Sequence, residues 1–226
     1  MIDTSLFSRR LADTALDEIL EQEDDSVHGY TPASGLPALR GALADALNLY
    51  DLDLSPEKIY VTCGAQAGRA ILAHALLEPG DEILFLYPPK VDLLSTAKAL
   101  GAKVVENGVL SARTRLVVLS HADPVPDGLA DMLRTAEQSC GHPIYLLADG
   151  LVPSPATEAL LQDYDSVVLN EDFGEDLSGE CIGFLAVSGK AAEADELYAA
   201  IAGAARACGY VNPPSLMQRT VGACLG

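Results

Sequence analysis

Apolar residues along this chain follow two spacings, one typical of helices and one typical of buried strands. Near the start they recur every three or four residues, as on one face of a helix, and they predict a helix over Thr4–Glu23. Further along, short runs of adjacent apolar residues such as Ile144–Ala148 appear. Runs of this kind are typical of strands that are covered on both faces.

The two patterns alternate to the end of the chain. Further helices are expected at Pro37–Leu47, Ala65–Leu77, Val91–Leu100, Leu129–Ser139, Ala191–Ala207 and Ser215–Leu225. Strands are expected at Ile59–Thr62, Glu82–Leu86, Lys103–Val105, Arg115–Ser120, Ile144–Ala148, Ser166–Leu169 and Ile182–Val187. This alternation predicts a three-layer α/β/α fold, in which helices cover both faces of a mostly parallel sheet. We expect an N-terminal helical segment (residues 1–24) and one domain (residues 25–226).

Composition excludes several classes of partner. The chain has 226 residues, of which 49% are hydrophobic, enough for the core of one α/β domain. With 14 basic and 33 acidic residues its formal net charge is −19. Such a surface repels phosphate backbones and anionic lipids, so we expect no nucleic-acid and no membrane partner. Proteins from salt-rich settings carry similar charge, so the charge need not encode a partner.

The cysteines and the termini indicate a compartment. There are five cysteines without C-x-x-C spacing, at positions 63, 140, 181, 208 and 224. We expect reduced intracellular thiols rather than disulfides or a zinc site. No apolar run approaches the length of a membrane span, and the N-terminus lacks the layout of a signal peptide. These features predict a cytoplasmic protein.

Several segments resemble, in order, the motifs of one enzyme family. They are His28–Arg40 (HGYTPASGLPALR), Tyr60–Gln66 (YVTCGAQ), Leu77–Leu84 (LEPGDEIL), Gly179–Phe184 (GECIGF) and Asn212–Arg219 (NPPSLMQR). Each is weak alone, but their order is specific. The chain resembles the class I and II aminotransferases of fold type I, especially bacterial aspartate-aminotransferase-like branches.

This resemblance implies a fold, a cofactor and an assembly. The fold would be the aminotransferase large domain alone, without the small C-terminal domain whose arginine holds the substrate carboxylate. The cofactor would be pyridoxal phosphate, and the site would lie across the two-fold interface of a homodimer. The resemblance also implies that missing parts of a site could come from a separately encoded partner chain.

Some cofactor-binding positions of the family are retained. Gly64, Ala65 and Gln66 lie between a strand and a helix, where free backbone N–H groups suit a phosphate, although a plain turn also favours small residues. By resemblance, Asp149 would pair with the pyridinium nitrogen, and its alternative is a turn or helix-cap residue. Tyr30 would reach the phosphate of the neighbouring subunit, and its alternative is a loop aromatic that packs on the core.

Other positions have lost the family's residue. The Schiff-base lysine falls on Phe173, the phosphate arginine on Cys181 and the ring-stacking aromatic on Lys90. The asparagine that bonds the phenolic oxygen falls on Asp123, and a conserved tyrosine of the family falls on Val152. We expect Cys181 to be a small buried replacement for arginine. Lys90 is expected to be a surface lysine, with a displaced Schiff base there as the alternative.

Three functional hypotheses follow. The first is a degenerate aminotransferase-like protein without transaminase activity that acts as a binding or scaffold subunit and forms no covalent bond to pyridoxal phosphate. The second is a pyridoxal-phosphate enzyme with an altered or partner-completed site. The third is a truncated fragment without independent function. Whether the purified protein binds the cofactor distinguishes the first from the second.

Overall fold

Helices and strands alternate along the chain, as the apolar pattern predicts. The computed structural model describes residues 9–22, 25–48, 51–105, 108–120, 123–150, 154–173 and 179–225. Eight helices lie in these residues: α1 (Arg9–Gln22), α2 (Pro37–Leu47), α3 (Gly64–Leu76), α4 (Val91–Ala99), α5 (Leu129–Cys140), α6 (Pro155–Asp163), α7 (Ala194–Cys208) and α8 (Ser215–Leu225). The strands described are β1 (Ile59–Thr62), β2 (Glu82–Phe85), β3 (Lys103–Val105), β4 (Thr114–Ser120), β5 (Tyr145–Asp149), β6 (Val167–Asp172) and β7 (Gly183–Val187).

The strands form one seven-stranded sheet in the order β1-β7-β6-β5-β4-β2-β3. The strands from β6 across to β3 are parallel, whereas β7 runs antiparallel to both β6 and β1. The sheet is therefore mostly parallel, and the predicted fold class is confirmed.

Apolar side chains of the central strands point alternately to the two faces of the sheet. Along β5, Leu146 and Ala148 join a core formed with α2, α5, α6 and α8. Tyr145 and Leu147 join a second core formed with α3, α4 and α7. Both faces are covered, which explains why β5 is an uninterrupted apolar run instead of an alternating one.

The topology brings several strand ends to one edge of the sheet. Parallel strands end on the same side, so Ser120, Asp149 and Asn170 lie next to each other at the ends of β4, β5 and β6. Strand β1 runs in the same direction as β6, because both are antiparallel to β7. Helix α3 therefore begins at this edge, at Gly64. Ligands of open α/β sheets bind at the carboxyl ends of the strands.

The structure differs from the predicted elements in a few places. Helix α6 was not predicted, although Ser154 and Pro155 are typical of a helix start. Helix α7 begins at Ala194, three residues later than expected, and β6 extends to Asp172. The predicted start of the first helix and the position of Val152 lie outside the described residues. In the part of the chain that is described, no helix has the length and apolar character needed to cross a membrane.

Candidate functional site

Asp149 is the centre of a polar cluster at the carboxyl edge of the sheet. It ends β5 and is 1% exposed. Its Oδ1 accepts hydrogen bonds from Asn170 Nδ2 at 2.6 Å and from Arg69 Nη1 at 3.1 Å. Its Oδ2 lies 3.0 Å from the Nζ of Lys90. A buried carboxylate needs partners of this kind, because burying an unpaired charge is very unfavourable.

Arg69 connects Asp149 to a second carboxylate. It projects from the second turn of α3, and its Nε and Nη2 both lie 2.7 Å from Asp92 Oδ2. Burial lowers the pKa of Arg69, but the carboxylates of Asp149 and Asp92 raise it by more, and its net pKa is raised. The guanidinium is therefore a permanent charge that holds α3, α4 and β5 together.

Asn170 completes the cluster from β6. Its Nδ2 donates to Asp149 and also to the backbone oxygen of Ala65, at 3.1 Å. The amide can approach α3 only because residue 68 is glycine: a Cβ there would collide with Asn170 Oδ1. Among the described residues, that Oδ1 has no hydrogen-bond partner.

Glu171, the next residue of β6, is a second buried acid near the cluster. It is 8% exposed, and its Oε1 has no hydrogen-bond partner within the described part of the chain. Burial, with smaller contributions from the charges of Asp149 and Asp172, raises the pKa of Glu171 to about 8, although Lys90 acts in the opposite direction. Glu171 is therefore mostly protonated at neutral pH, and it adds little negative charge to the site.

Proteins of similar sequence and fold are aminotransferases. A sequence profile of the family "Aminotransferase class I and II" matches residues 5–107. An aspartate aminotransferase of Pyrococcus horikoshii is 30% identical over 146 residues, which cover 56% of this chain and 37% of that protein. A probable aspartate/prephenate aminotransferase of Thermus aquaticus is 28% identical over 141 residues, 53% of this chain and 37% of that protein.

A solved structure covers the whole chain. It is an aminotransferase from Eubacterium rectale, superimposed with a TM-score of 0.88 at 26% identity over 100% of this chain and 65% of that one. The chain is therefore similar to the class I and II aminotransferases, in sequence over part of its length and in fold over all of it. It spans less than two thirds of that structure, and its matches span 37% of the length of each of the two curated relatives.

The aminotransferase resemblance assigns roles to six residues, and the structure brings only some of them together. Gly64 and Ala65 begin α3, with Gly64 at φ +83°, and Ala65 contacts Asn170. Gln66 is exposed on the same turn. Asp149 lies in the cluster.

The other two residues, Asp123 and Tyr30, make no hydrogen bond to the Asp149 cluster among the contacts that the structure describes. Asp123 accepts a hydrogen bond from the Ser120 N–H in its own turn, at 3.1 Å. Tyr30 is 95% exposed, so the alternative in which it packs on the core is wrong. The structure leaves the phosphate, pyridinium and phenolic-oxygen roles as predictions.

The structure also describes three positions at which the chain departs from the family's residues. Phe173 is 2% exposed, and its ring lies 5.9 Å from that of Phe184, so an apolar side chain fills the lysine position. Cys181 is exposed, so the prediction of a buried replacement for arginine is wrong. Its backbone adopts φ +48°, in the left-handed region, instead of continuing as strand. The side chain of Lys90 is 39% exposed, but its ammonium pairs with buried Asp149, so it is not an ordinary surface lysine.

These residues do not fit pyridoxal phosphate in the way the family holds it. The carboxylate that would pair with the pyridinium nitrogen already accepts from Arg69, Lys90 and Asn170. The lysine position offers no amine. Residues 174–178, between the lysine position and the glycine of the GECIGF motif, lie outside the described residues.

Sequence reasoning missed Arg69, Asp92, Asn170 and Glu171. A signal existed for three of them. Arg69 is the only charged residue of α3, which otherwise consists of small and apolar residues, a glutamine and a histidine. Asn170 and Glu171 extend an apolar strand into polar residues.

Proposed function

We propose that this chain is an aminotransferase-like protein without transaminase activity, and that it acts as a binding or scaffold subunit. The observation that carries the proposal is the internal neutralisation of Asp149 by Lys90 and Arg69. In an aminotransferase this carboxylate keeps the pyridine ring protonated, so that the ring accepts electrons from the substrate. In this chain the negative charge of Asp149 is balanced by Lys90 and Arg69 instead.

The buried phenylalanine supports the same conclusion. Transamination on this fold needs a lysine that bonds covalently to the cofactor. Phe173 packs against Phe184 at that position and has no nucleophilic atom. Lys90 cannot replace it without leaving its ion pair, because an ammonium must lose a proton before it attacks a carbonyl. We therefore expect no covalent bond between the chain and pyridoxal phosphate.

The retained features favour a second candidate, a site completed by another chain. Gly64 opens α3 towards the edge of the sheet, and Tyr30 presents its whole side chain to the surface. Backbone N–H groups at the start of α3 suit a phosphate. A separately encoded partner chain would then supply the missing amine.

Cofactor binding tests the proposal. The purified chain is titrated with pyridoxal phosphate while its absorbance spectrum is recorded, then treated with borohydride and measured by intact mass. We expect no stoichiometric adduct and no transamination. A specific adduct on Lys90, or turnover of an amino acid by the unaltered chain, would contradict the proposal. An adduct that appears only after a separate chain is added would favour the second candidate.

Variants identify which of the altered positions limits cofactor binding. Lys90→Met removes the competing ammonium, and Lys98→Met, an exposed lysine of α4, is its matched control. Phe173→Lys with Cys181→Arg restores both an amine and a phosphate anchor. We expect this double variant to bind the cofactor more tightly than either single variant, still without turnover. Because a lysine buried at position 173 should cost several kcal/mol of stability, circular dichroism must accompany each measurement.

A further inference from the structure

Two cysteines lie close to the start of α3. Cys63 lies between β1 and Gly64, and Cys181 lies two residues before Gly183, the first residue of β7. In the antiparallel pairing of β1 with β7, Thr62 lies opposite Gly183. Continued by two residues, this register places Gly64 opposite Cys181.

Contact distances agree with this register. A Cβ built on Gly64 would lie 3.7 Å from the Cα of Cys181. Cys63 is covalently joined to Gly64, so the two cysteine backbones are also close. Burial raises the pKa of the Cys63 thiol, and the Cys181 thiol is near enough to raise it further.

The two thiols differ in accessibility, which suits a stepwise reaction. Cys181 is exposed, whereas Cys63 is half-buried. The left-handed backbone of Cys181 (φ +48°) is unusual for a residue other than glycine. Such conformations occur preferentially at functional positions, and this one interrupts the alternation of side chains that an extended strand would impose.

We propose that Cys63 and Cys181 are a reactive thiol pair that closes into an intramolecular disulfide on reaction with a low-molecular-weight disulfide. The Cys181 thiolate attacks one sulfur of the reagent RS–SR, so a Cys181–SR bond forms, the RS–SR bond breaks, and RS⁻ leaves with the proton that Cys181 lost. The Cys63 thiolate then attacks the Cys181 sulfur and expels the second RS⁻, which takes the Cys63 proton. Two protein thiols are oxidised, and one disulfide is reduced to two thiols.

The new bond would join the start of α3 to the segment before β7. Both segments border the edge of the sheet where Asp149 lies, so the bond would fix the backbone at the entrance to the candidate site. This inference does not depend on the proposed function, since neither thiol takes part in the Asp149 cluster.

Peptide mapping tests the pair. The reduced full-length chain is incubated with hydroxyethyl disulfide, a neutral reagent that the acidic protein does not repel, and alkylated. Digestion with trypsin and a glutamate-specific protease separates Cys63, in Ile59–Arg69, from Cys181, in Cys181–Lys190. We expect these two peptides to be linked, the protein to lose the mass of its two thiol hydrogens, and the melting temperature to rise by several degrees.

Serine variants distinguish a pair from general thiol reactivity. In Cys63→Ser, the mixed disulfide on Cys181 should accumulate, because nothing resolves it. In Cys181→Ser, oxidation at Cys63 should slow by more than tenfold, and Cys208→Ser should behave as the unaltered chain. A stable mixed disulfide on Cys181 of the unaltered chain would overturn the proposal. So would a link from either cysteine to Cys140, Cys208 or Cys224 at equal yield.

Discussion

A single carboxylate, Asp149, determines the character of the site. It is almost completely buried and accepts from an arginine, a lysine and an asparagine on three different elements. At such a position, charge pairs interact strongly, but each ion also loses its hydration. The cluster is therefore weak evidence for added stability, although removing one member of it leaves an uncompensated buried charge.

The variant Arg69→Met tests whether the loss of one member destabilises the Asp149 cluster. The change removes the cation that bridges Asp149 and Asp92, and we expect the free energy of unfolding to fall by about 3–5 kcal/mol. Urea denaturation followed by circular dichroism measures it. The double variant Arg69→Met with Asp149→Asn should lose less stability than the sum of the two single changes, because the second change removes the orphaned charge.

Arg134→Met is the control for this experiment. Arg134 pairs with Asp131 on the exposed face of α5, so its loss should change stability little. Equal effects of the two arginine variants, or additive effects in the double variant, would show that the Asp149 cluster is not energetically coupled.

Glu171 gives the stability a pH dependence. Its folded-state pKa is raised from 4.5 to about 8, so the folded chain keeps a proton that the unfolded chain releases. The free energy of unfolding should therefore fall as the pH rises from about 4.5 to about 8. Glu171→Gln removes this penalty, and at pH 8 we expect the variant to be more stable than the unaltered chain by on the order of 4 kcal/mol.

The measurement is a set of denaturation curves across that pH range. Glu180→Gln, at an exposed carboxylate close by in sequence, should leave the pH profile unchanged. If Glu171→Gln and the unaltered chain show parallel profiles, Glu171 is ionised in the folded state, and its inferred neutrality is wrong.

At the scale of an element, α6 shows how a helix start can decide a structure. Ser154 accepts a hydrogen bond from the Thr157 N–H at 3.1 Å, and Thr157 Oγ1 accepts from the Ser154 N–H at 2.8 Å. Pro155 occupies the first helical position, where its missing N–H costs nothing. The helix buries Leu160 and Leu161 under the sheet.

Ser154→Ala should destabilise the protein through this cap. The two reciprocal bonds each satisfy one backbone N–H group at the start of α6. We therefore expect the free energy of unfolding to fall by about 1 kcal/mol. Ser139→Ala is the matched control, because Ser139 donates to the backbone oxygen of Thr135 on an exposed face of α5. Thermal denaturation should separate the two variants, and identical melting temperatures would show that the cap contributes nothing.

At the scale of the molecule, the exposed tyrosine and the family's two-fold site lead us to expect a homodimer. Tyr30 lies in the HGYTPASG segment, which would border the second copy, and almost its entire side chain is accessible in a single chain. A large aromatic side chain left in water gains free energy when a partner covers it.

Light scattering at micromolar concentration should give twice the mass of one chain. Tyr30→Ser should shift the equilibrium towards the monomer, whereas Val109→Ser, at another exposed apolar residue, should not. A monomeric unaltered chain, or equal weakening by both variants, would contradict an interface at Tyr30.

Local pattern was enough to predict the sheet and most of the helices. A strand covered on both faces must be apolar at every position, so β5 is visible in the sequence, and a helix with one buried face repeats every three to four residues. The same local information failed at α6, whose start depends on a short polar motif rather than on a long periodic pattern. The lost lysine and arginine positions were also read from motif order alone.

The composition of the site could not be predicted in this way. Arg69 and Asp149 are 80 positions apart, and nothing near either residue indicates that they pair. Their contact depends on how α3 packs on the sheet, where it lies against β6 and β7. The fold likewise brings Lys90, the residue before α4, to Asp149. The burial that raises the pKa of Glu171 likewise depends on how distant segments pack together. So does the exposed position of Cys181 beside Gly64. The periodicity of apolar residues indicates which face of an element is covered. Which charged groups and thiols lie close together is decided only by the tertiary structure, because these residues are far apart in the sequence.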